Sequence, residues 1–550
     1  ERQMRTTTVF GLLFAAFASV TTAASAQPGR GPSPVAKNME ALPVDPAPSY
    51  VRKDAPTDPI ILKLWEEGMQ RSHAGSLAQA LLDSVGPRLT GSPNMNRAQD
   101  WLLATYKQFG VSARKEQYGT WNSWKRGAAF AQLTAPRVKA LEINMLSWSG
   151  NTAGKWTEGD VVIVKPYQSP EEFAAWLPSV KGKIVLASAP RLTCRPASQM
   201  AEFAMPSTQA SLDSMQRDLS ATYQGVTQRV PTFYRDVKAA GAVAVFESNY
   251  SQYPGVNKIF GSPRNAALPT FDVGCEDYGM LFRLAQNKQG PKVRVMAESE
   301  ALGDKPVFNV IAEIKGATKP DEYVVLSAHF DSWEGHSGAT DNATGSITMM
   351  EALRILHAVY PKPSRTILVG HWSGEEQGLN GSTAFTEDHP EVMKGLQGLF
   401  NQDNGTGRVQ SLSSSGLTDI GRHLKQWYTQ LPGFFTDSLS ANVVSWSFND
   451  VPTGNPGGTD GAVFACFGTP SFGMGAVGWN YGTYTWHTNR DTYDKIVFDD
   501  VKHNATLAAL MVYLASEDLE FIKRDRSPGT WPANWPANCG KVPRKTRPRY

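Results

Sequence analysis

The sequence is poor in cysteine, in excess charge and in long apolar segments. Its 550 residues include four cysteines, and 54 Lys and Arg oppose 51 Asp and Glu, which leaves a formal charge of +3. So small an excess over this length gives no basis for a nucleic-acid partner. No apolar run reaches the roughly 20 residues that span a bilayer. The length itself predicts two or more domains.

Several chemistries can be set aside because their motifs are missing. The sequence has no G-x-S-x-G elbow and no H-E-x-x-H helix, which argues against a serine hydrolase and a single-zinc endoprotease. Cys194, Cys275, Cys466 and Cys539 lack C-x-x-C spacing, which disfavours a cysteine-zinc site, and they allow three disulfide pairings if all are oxidised. Cys466 lies in an apolar run and is predicted to be a buried apolar residue.

The N-terminus has the pattern of an export signal. Arg5 precedes the apolar run 9–20, and the A-x-A sequence at 24–26 is typical of a cleavage site. We therefore predict a signal peptide over 1–26 and an exported protein, periplasmic or secreted, without a membrane span. Prolines recur through residues 27–59, which predicts a linker, and a basic tail is predicted over 526–550.

Between these ends the spacing of apolar residues changes twice along the sequence. Residues 60–137 are predicted to be the first part of the catalytic domain, with helices over about 60–85 and 94–109 and a turn-forming segment at 86–92 between them. Gly110 is expected to cap the second helix. Short strand-like runs alternate with turns through 138–301, which predicts an inserted, β-rich second domain. From 302 to 525 strands alternate with helices, and the apolar run 323–328 is typical of a strand buried on both faces. The fold class is therefore α/β, a mostly parallel central sheet flanked by helices.

Polar residues gather where the apolar runs of this last region end. His329, Glu375, Glu376 and Asp403 follow predicted strands, and the carboxyl ends of such strands collect ligand-binding residues. Asp341 precedes a helix, where its carboxylate can offer one oxygen to each of two metal ions. With His487, these side chains make the ligand set of a zinc pair that shares one carboxylate. Two ions about 3.5–4 Å apart can activate a water molecule for hydrolysis.

The two adjacent glutamates should have different roles because neighbouring side chains on an extended segment diverge. We expect Glu376 to be a ligand and Glu375 to be the general base. Asp331 follows His329 by two residues and is better placed to hold a ligand's ring than to bind metal. His371 is left open as a further supporting residue, and a loop position is expected for His336.

Aromatic residues flank the predicted ligands. Trp333 follows the first histidine motif, and Tyr481, Tyr484 and Trp486 precede His487. They could form an apolar wall for a substrate or simply pack together. We expect the wall.

Five segments, taken in order, resemble the M28 family of metallopeptidases, which includes aminopeptidases and carboxypeptidases. They are SAHFDSW at 327–333, GATDNATG at 338–345, GEEQGLNGS at 374–382, QDN at 402–404 and WHTNRDTY at 486–493. The resemblance implies one zinc on His329, Asp341 and Asp403. It implies a second zinc on Asp341, Glu376 and His487, with a cis peptide after Asp341.

The resemblance extends to roughly residues 60–520. Segments 180–186 and 238–243 resemble a protease-associated (PA) domain within 138–301. A homodimer is compatible with the family. Trp486 stands where some members carry an oxyanion-binding tyrosine, so Tyr481 and Tyr484 are candidates for that role.

The predicted function is an exported di-zinc exopeptidase that hydrolyses terminal bonds of peptides or dipeptides. Whether the amino or the carboxyl end is attacked is left open, because the spacing identifies no partner for either terminus. A glutaminyl-cyclase-like acyltransferase and a non-catalytic binding protein on the same scaffold are the rivals.

Overall fold

The computed structural model describes residues 58–223, 226–230, 232–261, 268–414, 416–438 and 458–526. The predicted signal peptide, nearly all of the Pro-rich linker and all but the first residue of the basic tail lie outside these residues. Within the described part of the chain, no helix is long and apolar enough to cross a membrane.

Thirteen strands in the described residues join into one sheet. They are β1 (Ser112–Ala135), β2 (Lys139–Ala140), β3 (Ile143–Met145), β4 (Thr157–Ile163), β5 (Lys183–Leu186), β6 (Ala244–Glu247), β7 (Thr270–Val273), β8 (Lys292–Ile314), β9 (Lys319–His329), β10 (Arg365–Trp372), β11 (Leu396–Asn401), β12 (Val409–Ser414) and β13 (Ser471–Ala476).

Helices cover both faces of the sheet. They are α1 (Pro59–Gln70), α2 (Ala74–Gln79), α3 (Pro93–Gln108), α4 (Pro170–Trp176), α5 (Ala197–Phe203), α6 (Pro206–Tyr223), α7 (Val226–Arg229), α8 (Phe233–Ala239), α9 (Cys275–Gln286), α10 (Thr344–Val359), α11 (Asn380–Asp388), α12 (Pro390–Gly395), α13 (Ile420–Tyr428), α14 (Gly433–Ser438), α15 (Asp460–Cys466), α16 (Tyr481–Tyr484) and α17 (Phe498–Glu517).

The strand order is β12-β13-β11-β9-β10-β8-β4-β5-β6-β7-β3. β13, β11, β9 and β10 run parallel, as do β4 to β7, and the antiparallel strand β8 joins the two groups. β1 pairs with β8 along nearly its whole length. The predicted α/β class with a mostly parallel sheet is confirmed.

The parallel strands form where the sequence is apolar without alternation. All eight residues of β10 are buried, as are the last six of β9. This pattern arises because helices cover both faces of a parallel sheet. On one face α1, α10 and α17 pack into the largest apolar core, and on the other Trp372, Phe385 and Phe464 form a smaller one. The two cores fix the ends of the strands that carry the site.

The predicted insertion contains β2 to β7 and α4 to α9. One apolar core lies wholly within it, and a second core also includes Leu89, Trp121 and Trp333 from outside it. β8 passes through the boundary predicted at residue 301 without a break. The domain bounds and the resemblance to a PA domain therefore stay predictions. Helix α3 ends as predicted, before Gly110, whose φ of +78° is favoured by glycine.

The cysteine prediction needs a correction. Cys194 and Cys275 form a disulfide, and Cys466 is disulfide-bonded as well. The prediction that Cys466 is a buried apolar residue is wrong. It is half-buried at the end of α15, and the next residue, Phe467, is 48% exposed. The apolar run leaves the core at this helix end, which puts the sulfur within reach of a partner.

Candidate metal centre

Three adjacent parallel strands bring the predicted residues to one edge of the sheet. His329 is the last residue of β9, Glu375 and Glu376 follow β10, and Asp403 follows β11. β9 lies between β10 and β11, so these carboxyl ends are neighbours. Asp341 lies on a turn, Ala339–Ala343, before α10, where its own backbone is not helical, and the Asp341–Asn342 peptide is cis, as predicted.

The first group of side chains surrounds His329. Its Nε2 lies 3.2 Å from Asp341 Oδ1 and 3.2 Å from Asp403 Oδ1. Its Nδ1–H donates to the main-chain carbonyl of Asp331 at 3.1 Å, which leaves Nε2 free to face the carboxylates. The His329 side chain is 1% exposed. The position of the His329 ring is therefore fixed by the end of β9 and by this hydrogen bond.

The second group surrounds His487, which reaches the sheet edge from the loop after α16. Its Nε2 lies 2.8 Å from Glu376 Oε2 and 3.1 Å from Asp341 Oδ2. Asp341 therefore presents Oδ1 to one histidine and Oδ2 to the other. The structure brings together all five residues that the sequence predicts as ligands, and it divides them into the two groups that the resemblance implies.

The spacing and the burial of these side chains are those of ligands to metal ions. Ligand atoms about 2.0–2.1 Å from a tetrahedral zinc lie about 3.3 Å apart. Three of the four distances above, at 3.1 and 3.2 Å, are close to this value. Glu376 Oε1 is buried, and among the described residues it has no hydrogen-bond partner. A buried carboxylate oxygen without a donor is costly unless a cation meets it. The donor set, two imidazoles and three carboxylates, is one that zinc accepts.

Electrostatics point the same way. Burial raises the pKa of Glu376 to about 7, with Asp341 adding to the shift. Burial lowers the affinity of His487 for a proton, but Asp341 and Glu376 outweigh it and raise its pKa to about 9. The pKa of Glu375 is also raised by burial, despite His329 nearby. The metal-free site therefore takes up protons to offset its crowded negative charge, and divalent cations could replace them.

Asp331 has a wider role than the sequence suggests. Its carboxylate Oδ1 is 3.6 Å from His329 Nδ1, too far for a hydrogen bond. The same carboxylate accepts hydrogen bonds from the main-chain N–H of Glu375 (3.2 Å) and of Glu376 (3.3 Å), and from the Thr90 hydroxyl (3.0 Å). Asp331 thus fixes the backbone that carries both glutamates.

Two supporting residues escape prediction from the sequence. Asp491 accepts hydrogen bonds from the main-chain N–H of Thr340 (2.8 Å) and Asp341 (3.0 Å), so it holds the turn that presents the shared carboxylate. Arg88 is fully buried and donates to the carbonyls of Phe330, Ser337 and Gly338. Both lie within resembling segments, but their partners are about 150 and 250 residues away in the chain.

The remaining predicted residues fall into place around the centre. Glu375 is 11% exposed, and its Oε2 lies 4.0 Å from His329 Nε2, beside the first group but in neither group. His371 bonds to the Tyr106 hydroxyl at 2.7 Å, and His336 Nδ1 accepts from the main-chain N–H of Gly338. Neither histidine belongs to the ligand groups.

The predicted aromatic wall divides into two parts. Trp486 stacks on the His487 ring at 4.0 Å, and Trp333 meets that ring edge-on at 6.1 Å. Tyr481 and Tyr484 instead line a cavity of about 190 Å³ that also touches Thr340, next to Asp341. Burial holds the pKa of Tyr481 well above its usual value, and Asp341 and Asp403 add to the shift, so its hydroxyl stays protonated as a donor.

Comparison with known proteins agrees with the geometry. Residues 309–512 match the model described as peptidase family M28. Carboxypeptidase Q of Rattus norvegicus is 24% identical over 397 residues, 71% of this chain and 78% of that protein. Carboxypeptidase Q of Bos taurus is 27% identical over 357 residues, 65% of this chain and 70% of that protein.

A crystal structure of a peptidase M28 precursor from Shewanella amazonensis has the same fold. It covers 84% of this chain and 97% of its own, with a TM-score of 0.60 and 21% identity. With these matches and the site, the chain is a metallopeptidase. Over residues 309–512 it is similar to peptidase family M28.

Proposed function

We propose that this chain is an exported di-zinc exopeptidase. The observation that carries the proposal is the division of Asp341, which turns one carboxylate oxygen toward His329 and the other toward His487. One zinc would be held by His329, Asp341 and Asp403, and the other by Asp341, Glu376 and His487. Bound zinc supplies a Lewis acid that polarises a peptide carbonyl and makes water more acidic.

The residues around the ligands would then carry the proton. Glu375 lies beside His329 without joining either group, and its backbone is fixed by Asp331. Its carboxylate would take a proton from water as the water oxygen bonds to the carbonyl carbon, and would give that proton to the nitrogen when the C–N bond breaks. The buried, acid-rich surroundings raise the pKa of Glu375, which favours its role as the base.

The carboxyl end of the peptide is the proposed point of attack. The relatives that align with most of this chain are named carboxypeptidase Q. Trp333 and Trp486 would form part of the apolar wall for the substrate, and Tyr481 or Tyr484 would stabilise the oxyanion. N-acetylated and C-amidated versions of one dipeptide test the direction. A carboxypeptidase cleaves the N-acetylated peptide and not the amidated one, and the reverse result would indicate an aminopeptidase.

Release of free amino acids from a dipeptide panel, with metal counted by elemental analysis, tests the function itself. Two zinc ions per chain and chelator-sensitive release are expected. One ion with release of a cyclised product would indicate the acyltransferase, and two ions without turnover would indicate a binding protein.

The Cys194–Cys275 disulfide supports export, because disulfides persist in oxidising compartments.

A further inference from the structure

The loop that carries His487 is hydrogen-bonded to the predicted insertion. The main-chain N–H of Ile259 donates to the carbonyl of His487 at 2.7 Å. The Lys258 ammonium donates to the carbonyls of Gly482 and Trp486, each at 2.8 Å. Three carbonyls on this loop therefore have their partners more than 220 residues earlier in the chain.

Residues that follow His487 are also hydrogen-bonded to the insertion. The main-chain N–H of Asn489 donates to the carbonyl of Asn257 at 3.0 Å, and Asn489 Oδ1 accepts from the N–H of Asn257 at 2.9 Å. Arg490 donates to the carbonyl of Gly255 at 2.8 Å. Asn257 is itself buried and donates to the carbonyl of Val273, at the end of β7. Both sides of His487 are thus tied to the sheet of the insertion.

The His487 side chain needs such support. Its φ of +53° is left-handed, a conformation that a non-glycine residue keeps only where its surroundings enforce it. The ring stacks on Trp486, and the Lys258 ammonium lies 4.0 Å from the centre of the Trp486 ring. Phe260, two residues after Lys258, meets the His487 ring edge-on at 5.3 Å. Segment 256–260 therefore touches both the backbone and the ring of the histidine.

We infer that Lys258 is a positioning residue for His487, and that through it the insertion sets the affinity of one of the two proposed zinc sites. The inference rests on the proposed function. The Lys258 ammonium donates to the loop of His487, and its charge also acts on Asp341, the carboxylate that both groups share. Its loss should therefore change the site around His487 and Glu376 much more than the site around His329 and Asp403. Substitution of a residue that orients a metal ligand typically weakens metal binding about 10- to 100-fold.

The test is a zinc titration of metal-free full-length protein against a competing chelator. Lys258→Met keeps the apolar stem and removes the ammonium, and we expect one zinc to bind about 10- to 100-fold more weakly while the affinity of the other changes much less. Lys258→Arg keeps the charge and the donors and should restore affinity. Lys183→Met, which removes an ammonium bonded to Asp160 elsewhere on the insertion, is the matched control and should bind both ions as the wild type does.

Hydrogen exchange of the metal-free protein gives a second readout without zinc. Amides at 484–489 should exchange faster in Lys258→Met than in Lys183→Met, with similar melting temperatures for the two variants. Equal exchange and two unaltered zinc affinities in Lys258→Met would overturn the inference while leaving the proposed function intact. A wild-type protein that binds fewer than two zinc ions would overturn both.

Discussion

The two histidines of the proposed metal centre reach it by different routes. His329 ends a buried parallel strand, its side chain is 1% exposed, and a neighbouring carbonyl fixes its ring. His487 lies on a loop with a left-handed backbone, its side chain is 13% exposed, and the insertion holds it in place. One half of the centre is therefore built by the sheet and the other by contact between distant segments. The first should tolerate perturbation of the insertion, and the second should not.

The largest effect is expected where the two halves meet. Asp341→Ala removes the oxygen that each histidine faces, so both ions should be lost and peptide release should fall to background. Elemental analysis of the purified variant measures the metal. Two zinc ions still bound to Asp341→Ala would rule out the shared carboxylate.

Glu375→Gln should separate chemistry from metal binding. Glutamine is close in size but cannot accept the proton, so kcat should fall about 10²- to 10⁴-fold. Both ions should stay bound, since Glu375 belongs to neither group. Steady-state kinetics beside elemental analysis measure the two effects. Unaltered kcat would refute the assignment of the base.

The disulfide offers a way to loosen only the insertion. Cys194 and Cys275 both lie in it, and Cys194→Ser with Cys275→Ser should lower the free energy of unfolding by about 2–4 kcal/mol. If the insertion holds the His487 loop, the double variant should also bind one zinc more weakly. Denaturant unfolding and zinc titration measure the two quantities. Lower stability with both zinc affinities unchanged would contradict the contrast between the halves.

A smaller effect is expected from His371, which belongs to the half built by the sheet. Burial lowers the pKa of His371 to about 3, from about 6.5 in an unfolded chain. The unfolded state therefore binds the extra proton first, and the contribution of this histidine to stability is present above pH 6.5 and lost as the pH falls toward 3.

Between pH 7 and pH 5 this loss amounts to about 2 kcal/mol. His371→Gln keeps a neutral polar group beside Tyr106, so its free energy of unfolding should fall less steeply over this range than that of the wild type. Denaturant unfolding at pH 7, 6 and 5 gives the comparison. Parallel pH dependence in the two proteins would show that His371 is not responsible.

The same contrast explains how much the sequence could predict. His329, Glu376 and Asp403 follow apolar runs, so their meeting at the ends of parallel strands could be anticipated from local pattern alone. The cis peptide after Asp341 followed from the resemblance and is confirmed. Local pattern works here because strand order places these ends together.

Contacts between distant segments could not be predicted in this way. Lys258 meets Trp486 across 228 residues, and Thr90 meets Asp331 across 241. Neither residue ends an apolar run or stands in a pattern that identifies its partner. The prediction that Cys466 is buried was wrong because the apolar run around it leaves the core at a helix end, which the local pattern does not show.

Anomalous diffraction at the zinc absorption edge, from crystals of the zinc-loaded protein, tests the central claim most directly. Two peaks are expected, one between His329 and Asp403 and one between His487 and Glu376, with a separate oxygen of Asp341 bound to each. A single peak, or two peaks without Asp341 between them, would contradict the shared-carboxylate centre.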